Sequence, residues 1–261
     1  MTPEKHIKIS ASILLISICI EATLLSELRA ASDLLYTLIH LALVITLTSS
    51  QLLLYFSLQD GIAKKMALLF SLGTAITTVG DYINSSISSI TPISNKLCFA
   101  LFLFGAGYTL YNIALWKSTS SLIKNNINFN KKKWLFLIPI LAINLFSWFM
   151  DVEKNVTASN LLHYGSFVFN ATIYVAMPLF ALWYFASNNW SLKGLLVFFG
   201  ALMIPYSDLV LFNSWLHGGV DSDKTTLVFY VSNWIIYFTG QVLISLLPSF
   251  VVLEENYNYK T

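Results

Sequence analysis

The chain alternates between long apolar runs and short polar connections. A membrane-spanning helix needs about 20 mostly apolar residues, and eight runs approach or exceed that length. They are continuous rather than alternating and are too long for barrel strands, so they predict helices. The sequence therefore predicts an all-α polytopic membrane protein with eight transmembrane helices. The predicted spans are 9–28, 34–57, 66–85, 97–117, 134–150, 160–186, 193–216 and 227–250.

The composition agrees with a membrane protein. The 261 residues are 56% hydrophobic and 11% charged, whereas soluble domains carry about 25% charged residues. The longest connection runs from 118 to 133 and cannot hold a soluble domain, so we expect a single domain over 1–261. The net charge is +2 and the basic residues form no large patch, which argues against a nucleic-acid partner.

The distribution of basic residues predicts the orientation in the membrane. With eight spans, eleven lysines fall on the side of the amino terminus, and four basic residues fall on the opposite side. Because cytoplasmic loops are enriched in Lys and Arg, both termini are expected in the cytoplasm. Glu21 interrupts the first apolar run, which favours an uncleaved first span over a signal peptide.

Two predicted helices carry an aspartate deep inside the apolar run. Asp81 and Asp208 each lie fifteen residues from the cytoplasmic start of their helix, at a height of about 22 Å. An aspartate near the middle of a membrane helix costs about 2.5–3.5 kcal/mol, so such a residue is expected to have a function. Pro205 removes a backbone donor three residues before Asp208, and a bend is expected there.

The two aspartates also share a spacing. Gly73 precedes Asp81 by eight residues, Gly200 precedes Asp208 by eight, and the two acids are 127 residues apart. This spacing is consistent with a duplication of four helices, which would give two parallel repeats of four. Coincidence among helices of similar length is the alternative.

Other polar residues are expected at middle or outer depths, in one layer to which every helix contributes. No intramembrane lysine or arginine accompanies them. Without a cation, two neighbouring carboxylates cannot both ionise cheaply, so one is expected to keep its proton. Such a pair suits general acid catalysis or a proton-coupled carrier, whereas a neutral aspartate bonded to hydroxyls would only join helices. The layer contains Glu21, His40, Asp81, Tyr108, Asn144, Asn170, Tyr174, Asp208, Tyr237 and Gln241.

His40 and Glu21 leave several interpretations open. His40 is either a hydrogen-bond donor between helices or a residue that orients an acid. With His163 and His217 it would form a zinc site, but no HExxH or comparable spacing is present, so no metal and no other cofactor is expected. Glu21 is either a third member of the acid cluster or a residue that faces a wet cavity.

Several enzyme and receptor classes lack their motifs here. The sequence has no GxSxG elbow, no phosphate-binding glycine loop and no intramembrane lysine in the last two spans. These absences argue against common serine lipases, nucleotide-binding proteins and retinal proteins.

Several segments together resemble the YhhN family of lysoplasmalogenases, which are eight-helix integral membrane proteins. The segments are, in chain order, FSLGTAITTVGD ending at Asp81, GAGYTLY ending at Tyr111, Tyr174 with Met177, FFGALMIPYSD ending at Asp208, and IYFTGQ ending at Gln241. The sequence departs from the family pattern at two places. The lysine-proline pair of the second helix is missing, with His40 nearby, and Tyr108 stands where the family has a histidine.

The resemblance implies hydrolysis of the vinyl ether bond of lysoplasmalogens to a fatty aldehyde and a glycerophospho-base. Asp81 and Asp208 would be the catalytic acids, with roles divided as between the two carboxyls of glycoside hydrolases. The partner would be a lysophospholipid, in a bacterial inner membrane or a eukaryotic endomembrane. The alternatives are a proton-coupled transporter or lipid-binding protein that uses the acids as a relay, and an assembly scaffold. The residues expected to bind substrate are Glu21, His40, Tyr108, Tyr111, Tyr174, Ser207, Tyr237 and Gln241.

Overall fold

The apolar runs form helices, because a chain in hydrocarbon must satisfy its backbone hydrogen bonds internally. The computed structural model describes residues 1–26, 33–84, 93–123, 133–149, 165, 167–216 and 225–258, and these contain no strand. A 3₁₀ turn at Lys133–Phe136 leads into α5, and a π-helical segment at Ala171–Ala176 leads into α6. The helices are α1 (Pro3–Ser26), α2 (Asp33–Ser57), α3 (Ile62–Asn84), α4 (Ile93–Ile123), α5 (Leu137–Ser147), α6 (Met177–Ser187), α7 (Leu192–Leu216), α8 (Thr225–Ser245) and α9 (Leu247–Asn258).

Seven spans in the described part of the chain are long and apolar enough to cross a membrane. The prediction of an all-helical, multi-pass membrane protein is confirmed at this level. The last span runs from α8 into α9, and Pro248 lies at the start of α9, where a missing backbone donor is tolerated. The spans are Pro3–Thr23, Thr37–Ser57, Ile62–Ile83, Cys98–Ser120, Phe167–Ser187, Leu192–Leu211 and Ser232–Glu254.

The fifth predicted span, 134–150, is shorter than the others. Its apolar helical part is Trp134–Phe146, which is about 20 Å long at 1.5 Å per residue, against a hydrocarbon core of about 30 Å. Residue 150 lies outside the described residues. The count of eight spans therefore stays a prediction, as do the cytoplasmic termini, the repeat and the single domain.

Two antiparallel helix pairs, α3 with α4 and α7 with α8, provide the most extensive packing between described elements. α2 packs against α3, α6 packs against α4 and α7, and α1 packs against α2 and α8. The main apolar core lies between these elements and includes Phe70, Tyr108, Ile173 and Ile204. α7 continues as a helix through Pro205 to Leu216. This arrangement places both helices that carry an aspartate, α3 and α7, in contact with α8.

Candidate active site

Close backbone contacts hold each aspartate-bearing helix against its neighbour. A Cβ atom on Gly73 would lie 2.8 Å from the carbonyl oxygen of Gly107, and one on Gly107 would lie 2.7 Å from that of Gly73. Gly200 and Gly240 make the same reciprocal contact between α7 and α8, at 2.9 and 3.0 Å. Small residues permit such approach between membrane helices. Because each aspartate lies two turns beyond its glycine, the crossings fix where both acids lie.

Asp81 and Asp208 line the same small cavity, which we call the acid cavity. Its volume is about 130 Å³, which is enough for several water molecules. The sequence prediction that the fold brings these two acids together is confirmed by this arrangement. The side chains lining the cavity are His40, Asp81, Phe104, Ser207, Asp208, Leu211, Asn233, Trp234 and Tyr237.

The two carboxyl groups have different surroundings. Asp81 is partly exposed and accepts a hydrogen bond from the Tyr237 hydroxyl at 3.3 Å. Asp208 is only 8% exposed, and its Oδ2 atom has no hydrogen-bond partner. The fully buried Tyr108 lies beside Asp208, but its hydroxyl also makes no hydrogen bond of good geometry. One acid is therefore held by a hydroxyl donor, while the other keeps an unused acceptor in the cavity.

Ser207 and Asn233 form the seam between α7 and α8 beside the acids. The Ser207 hydroxyl donates to the backbone carbonyl of Asn233 at 3.2 Å. The Asn233 side-chain oxygen is buried without a hydrogen-bond partner. Both side chains line the acid cavity, so Asn233 offers a further acceptor to a bound water or substrate.

Glu21 and His40 form a buried pair at another wall of the cavity. Glu21 is completely buried in α1, and its Oε1 atom is hydrogen-bonded to Nε2 of His40 in α2. The His40 ring stacks on Trp234, with centroids 3.8 Å apart and planes 9° apart. His40 lines the acid cavity, whereas Glu21 lies behind it.

Tyr111 and Gln241 lie in a second polar cluster rather than in the acid cavity. The Tyr111 hydroxyl donates to Oε1 of Gln241 at 2.6 Å and contacts the Thr74 hydroxyl at 2.7 Å. Thr74 is also hydrogen-bonded to Oε1 of Gln51 at 3.0 Å. The Tyr111 ring packs against the open face of Gly73. These bonds join four helices at the α3–α4 crossing, so the cluster supports the position of Asp81.

Tyr174 lies on the π-helical segment, near Asp208. It is partly exposed and close enough to Asp208 for the two groups to interact electrostatically, but it does not line the acid cavity. Asn112 donates to the backbone carbonyl of Thr172 at 2.9 Å and so satisfies an acceptor in this segment. Asn144 and Asn170 are hydrogen-bonded to each other. The predicted polar layer is thus divided into separate clusters.

A larger apolar groove lies between α4, the π-helical segment, α6 and the 3₁₀ turn. Its volume is about 720 Å³, and three tryptophans, Trp116, Trp134 and Trp183, contribute to its wall. Asn112, Thr109 and Thr172 are its polar lining residues, and no acid or base lines it. Of these two cavities, it is the smaller acid cavity that is lined by carboxyl groups.

Sequence reasoning missed six residues of these clusters, which are Gln51, Thr74, Phe104, Leu211, Asn233 and Trp234. Phe104, Asn233 and Trp234 line the acid cavity, and Thr74 links Tyr111 to Gln51. Asn233 and Trp234 lie four and three residues before Tyr237, a spacing that places them on the same helix face. That spacing was the signal available in the sequence for these two residues.

The described residues contain no group of three or more His, Cys, Asp or Glu side chains placed to hold a metal ion. His163 and His217, which belong to the zinc alternative, lie outside the described residues.

The comparisons with known proteins bear on the family. The comparison with curated proteins gave no match. The comparison with solved structures gave none either. The sequence profile of the YhhN family matches residues 41–247, which include both aspartates and both glycine crossings. The chain therefore belongs to the YhhN family.

Proposed function

We propose that this protein is a membrane-embedded hydrolase that cleaves the vinyl ether bond of lysoplasmalogens. The products are a fatty aldehyde and a glycerophospho-base. The observation that carries the proposal is that Asp81 and Asp208, from two different membrane helices, line one small cavity. Membership of the YhhN family supports the same activity.

The chemistry of a vinyl ether matches a pair of carboxyls of which one is protonated. In the first step the protonated carboxyl transfers its proton to the outer alkene carbon, and the alkene π electrons form the new C–H bond. The positive charge is left on the carbon bonded to the ether oxygen. The ionised carboxyl stabilises this oxocarbenium ion, as one carboxyl does in glycoside hydrolysis.

Water then adds to the cation, the hemiacetal breaks down, and both carboxyls return to their starting protonation states. Water bonds to the cationic carbon, and one of its protons passes to the second carboxylate. The resulting hemiacetal breaks its bond to the glycerol oxygen, which takes that proton, while the hemiacetal hydroxyl returns its proton to the first carboxylate. The carboxyl pair ends in its starting protonation state, so no external acid or base is consumed.

The neighbouring residues position these groups. Tyr237 holds the Asp81 carboxyl through its hydroxyl, and Ser207 and Asn233 line the cavity beside Asp208. Tyr108, with an unpaired buried hydroxyl beside Asp208, would bind the attacking water or an oxygen of the substrate. Tyr111 and Gln241 would act from behind, by fixing the helix crossing.

The test uses purified protein with lysoplasmalogen and with its saturated ether analogue. Aldehyde is expected from the vinyl ether alone, because a saturated ether has no alkene carbon to protonate. Asp81→Asn and Asp208→Asn should stop aldehyde release while the protein stays folded. Release of aldehyde at the full rate by either variant would refute the assignment.

Asp60 supplies a matched control for the aspartate variants. It is an exposed aspartate outside the spans, and a hydrogen bond from Lys64 lowers the pKa of its carboxyl below the ordinary value. Asp60→Asn removes the same charge from the same chain at a distance from the cavity. Its aldehyde release should equal that of the unmodified protein.

A proton-coupled transporter or lipid-binding protein is the second candidate. It is favoured by the second buried polar cluster, in which Tyr111 is hydrogen-bonded to Gln241 and the side-chain nitrogen of Gln241 has no hydrogen-bond partner. Such a protein would take up solute into proteoliposomes in response to a pH gradient, without consuming a vinyl ether. If the protein were an assembly scaffold, neither aspartate variant would change the result of either assay.

We also propose that the chain crosses the membrane eight times, with both termini in the cytoplasm. Eight spans with both termini in the cytoplasm would place the lysine-rich loops inside and the acids in the outer half of the bilayer. Reporter fusions at the two ends of the chain should both report the cytoplasm. Opposite locations would indicate an odd number of spans.

A further inference from the structure

The proposed reaction requires a specific protonation state of the two carboxyls in the acid cavity. One carboxyl must be protonated and the other ionised at the start, because the ionised group stabilises the oxocarbenium ion and receives a proton from water. A carboxylate away from water is costly unless a cation accompanies it. In hydrocarbon surroundings without such a cation, both acids would stay protonated and water capture would lack its base.

His40 is the single residue lining the acid cavity that can carry a positive charge. The other described lining residues are two aspartates, two aromatic rings, one tyrosine, one leucine, one serine and one asparagine. Neither a lysine nor an arginine is among them. An internal source of positive charge for the cavity is therefore the imidazole of His40.

Glu21 and Trp234 prepare His40 for this role. The completely buried Glu21 is hydrogen-bonded to Nε2 of His40, as a carboxylate is when it stabilises an imidazolium ion. Trp234 stacks parallel to the ring and fixes its orientation, and an aromatic face also attracts a cation. The second oxygen of Glu21 is buried without a hydrogen-bond partner, so this pair is not explained as a fully satisfied structural link.

We propose that His40, stabilised by Glu21, takes one proton from the Asp81–Asp208 pair and so keeps one of the two carboxyls ionised. The O–H bond of the carboxyl breaks and an N–H bond forms on the imidazole, directly or through a water, and no other bond changes. The net charge of the cavity is unchanged by the transfer. His40 is then a positioning residue: it keeps one carboxyl ionised and does not touch the reacting atoms.

The inference rests on the proposed function, but neither residue lies within the family match. Glu21 and His40 precede residues 41–247. The titratable groups that face this pair come from four other elements. They are Asp81 of α3, Asp208 of α7, Tyr237 of α8 and, beyond Asp208, Tyr108 of α4.

Infrared spectroscopy of the protonated carboxyl stretch tests the inference without substrate. His40→Gln can keep a hydrogen bond to Glu21 but cannot accept a proton. The variant should show a larger protonated-carboxyl signal at neutral pH than the unmodified protein, from the acid pair and from Glu21, which loses its cation. Asp208→Asn or Asp81→Asn in the same background should remove the part of the added signal that comes from the acid pair. An unchanged carboxyl signal in folded His40→Gln protein would overturn the inference.

Two further variants keep the test decisive. Glu21→Gln removes the anion but leaves His40 in place, so it should shift the carboxyl signal in the same direction even where His40→Gln protein folds poorly. His6 is the matched control, because it is a completely buried histidine of α1 that bonds to Ser249 and does not line the acid cavity. His6→Gln should leave the carboxyl signal unchanged.

The kinetic prediction separates a charge role from substrate binding. His40→Gln should lower kcat about 100-fold near neutral pH, with little change in KM, and recover activity as the pH is raised and the acid pair ionises without help. A raised KM with unchanged kcat would make His40 a substrate-binding residue and overturn the inference. If the unmodified protein released no aldehyde, the proposed function would fail, while the infrared result would still decide the role of His40.

Discussion

The α3–α4 and α7–α8 pairs are built on the same backbone contact but surround their acids differently. In each pair two glycines touch reciprocally, and an aspartate follows the first glycine by eight residues. The partner helices differ three residues before their glycines, where α4 carries Phe104 and α8 carries Tyr237. Both side chains line the acid cavity.

The Tyr237 side chain links the two helix pairs. The Tyr237 hydroxyl reaches Asp81 on the other pair, whereas Phe104 has no group that could reach Asp208 in return. The Oδ2 atom of Asp208 has no hydrogen-bond partner, although the Tyr108 hydroxyl lies beside this residue. The comparison teaches that the backbone crossing sets the place of each acid, while side chains from the partner helices set its chemical environment. Two carboxyls with unlike surroundings are what a division into acid and base requires.

The largest effect is expected from changing either acid. Asp81→Asn and Asp208→Asn should each lower aldehyde release by about 10³-fold, within the range for loss of general acid–base catalysis. The double variant should be about as inactive as either single variant, because the two carboxyls act as a unit. Turnover numbers for the three variants test this. If the double variant lost activity by the product of the two single losses, the acids would act independently.

The glycine crossings should contribute to stability equally in the two pairs. Gly73→Ala and Gly200→Ala would each place a methyl group within 3 Å of facing atoms, so each should destabilise the protein by about 1–3 kcal/mol. Unfolding of the purified protein in detergent would measure the loss. At Gly61 the nearest atom to an added Cβ is 4.0 Å away, so Gly61→Ala is the control. Equal stability of all three variants would contradict the crossing interpretation.

Removing the hydroxyl that joins the two pairs should have a smaller effect on the rate. Tyr237→Phe deletes the hydrogen bond to Asp81 and should lower kcat about tenfold, since a hydrogen bond to a charged group contributes about 1.5–3 kcal/mol. Tyr184→Phe is the matched control, because Tyr184 is buried among helices away from the cavity and meets Asn188 instead. A Tyr237→Phe enzyme with unchanged kcat would show that the bond has no catalytic role.

The smallest effect on the rate is expected at the α3–α4 crossing itself. Tyr111→Phe removes the bonds to Gln241 and Thr74, which should cost about 1–3 kcal/mol of stability because buried polar groups lose their partner. Since Tyr111 does not line the acid cavity, aldehyde release below the unfolding temperature should change less than about threefold. A large fall in kcat with intact stability would place Tyr111 in the reaction instead.

The sequence by itself determined the class of fold and the location of the two acids along it. Apolar runs of about 20 residues must become helices in a bilayer whatever their neighbours are, and seven of the spans were recovered in this way. The fifth segment was not among them, because its apolar helical part, Trp134–Phe146, is shorter than a membrane span requires. The cost of an aspartate in hydrocarbon identified Asp81 and Asp208 as candidates for a functional role without any coordinates.

Only the tertiary structure decided which side chains meet. Depth along a helix follows from counting residues, but the face that each helix turns toward its neighbours depends on packing between helices distant in sequence. The sequence therefore placed Tyr111 and Gln241 with the acids, although they close a separate cluster. It could not pair Glu21 with His40 or direct Tyr237 to Asp81. These contacts join different helices, α1 with α2 and α3 with α8, so their geometry depends on how those helices pack.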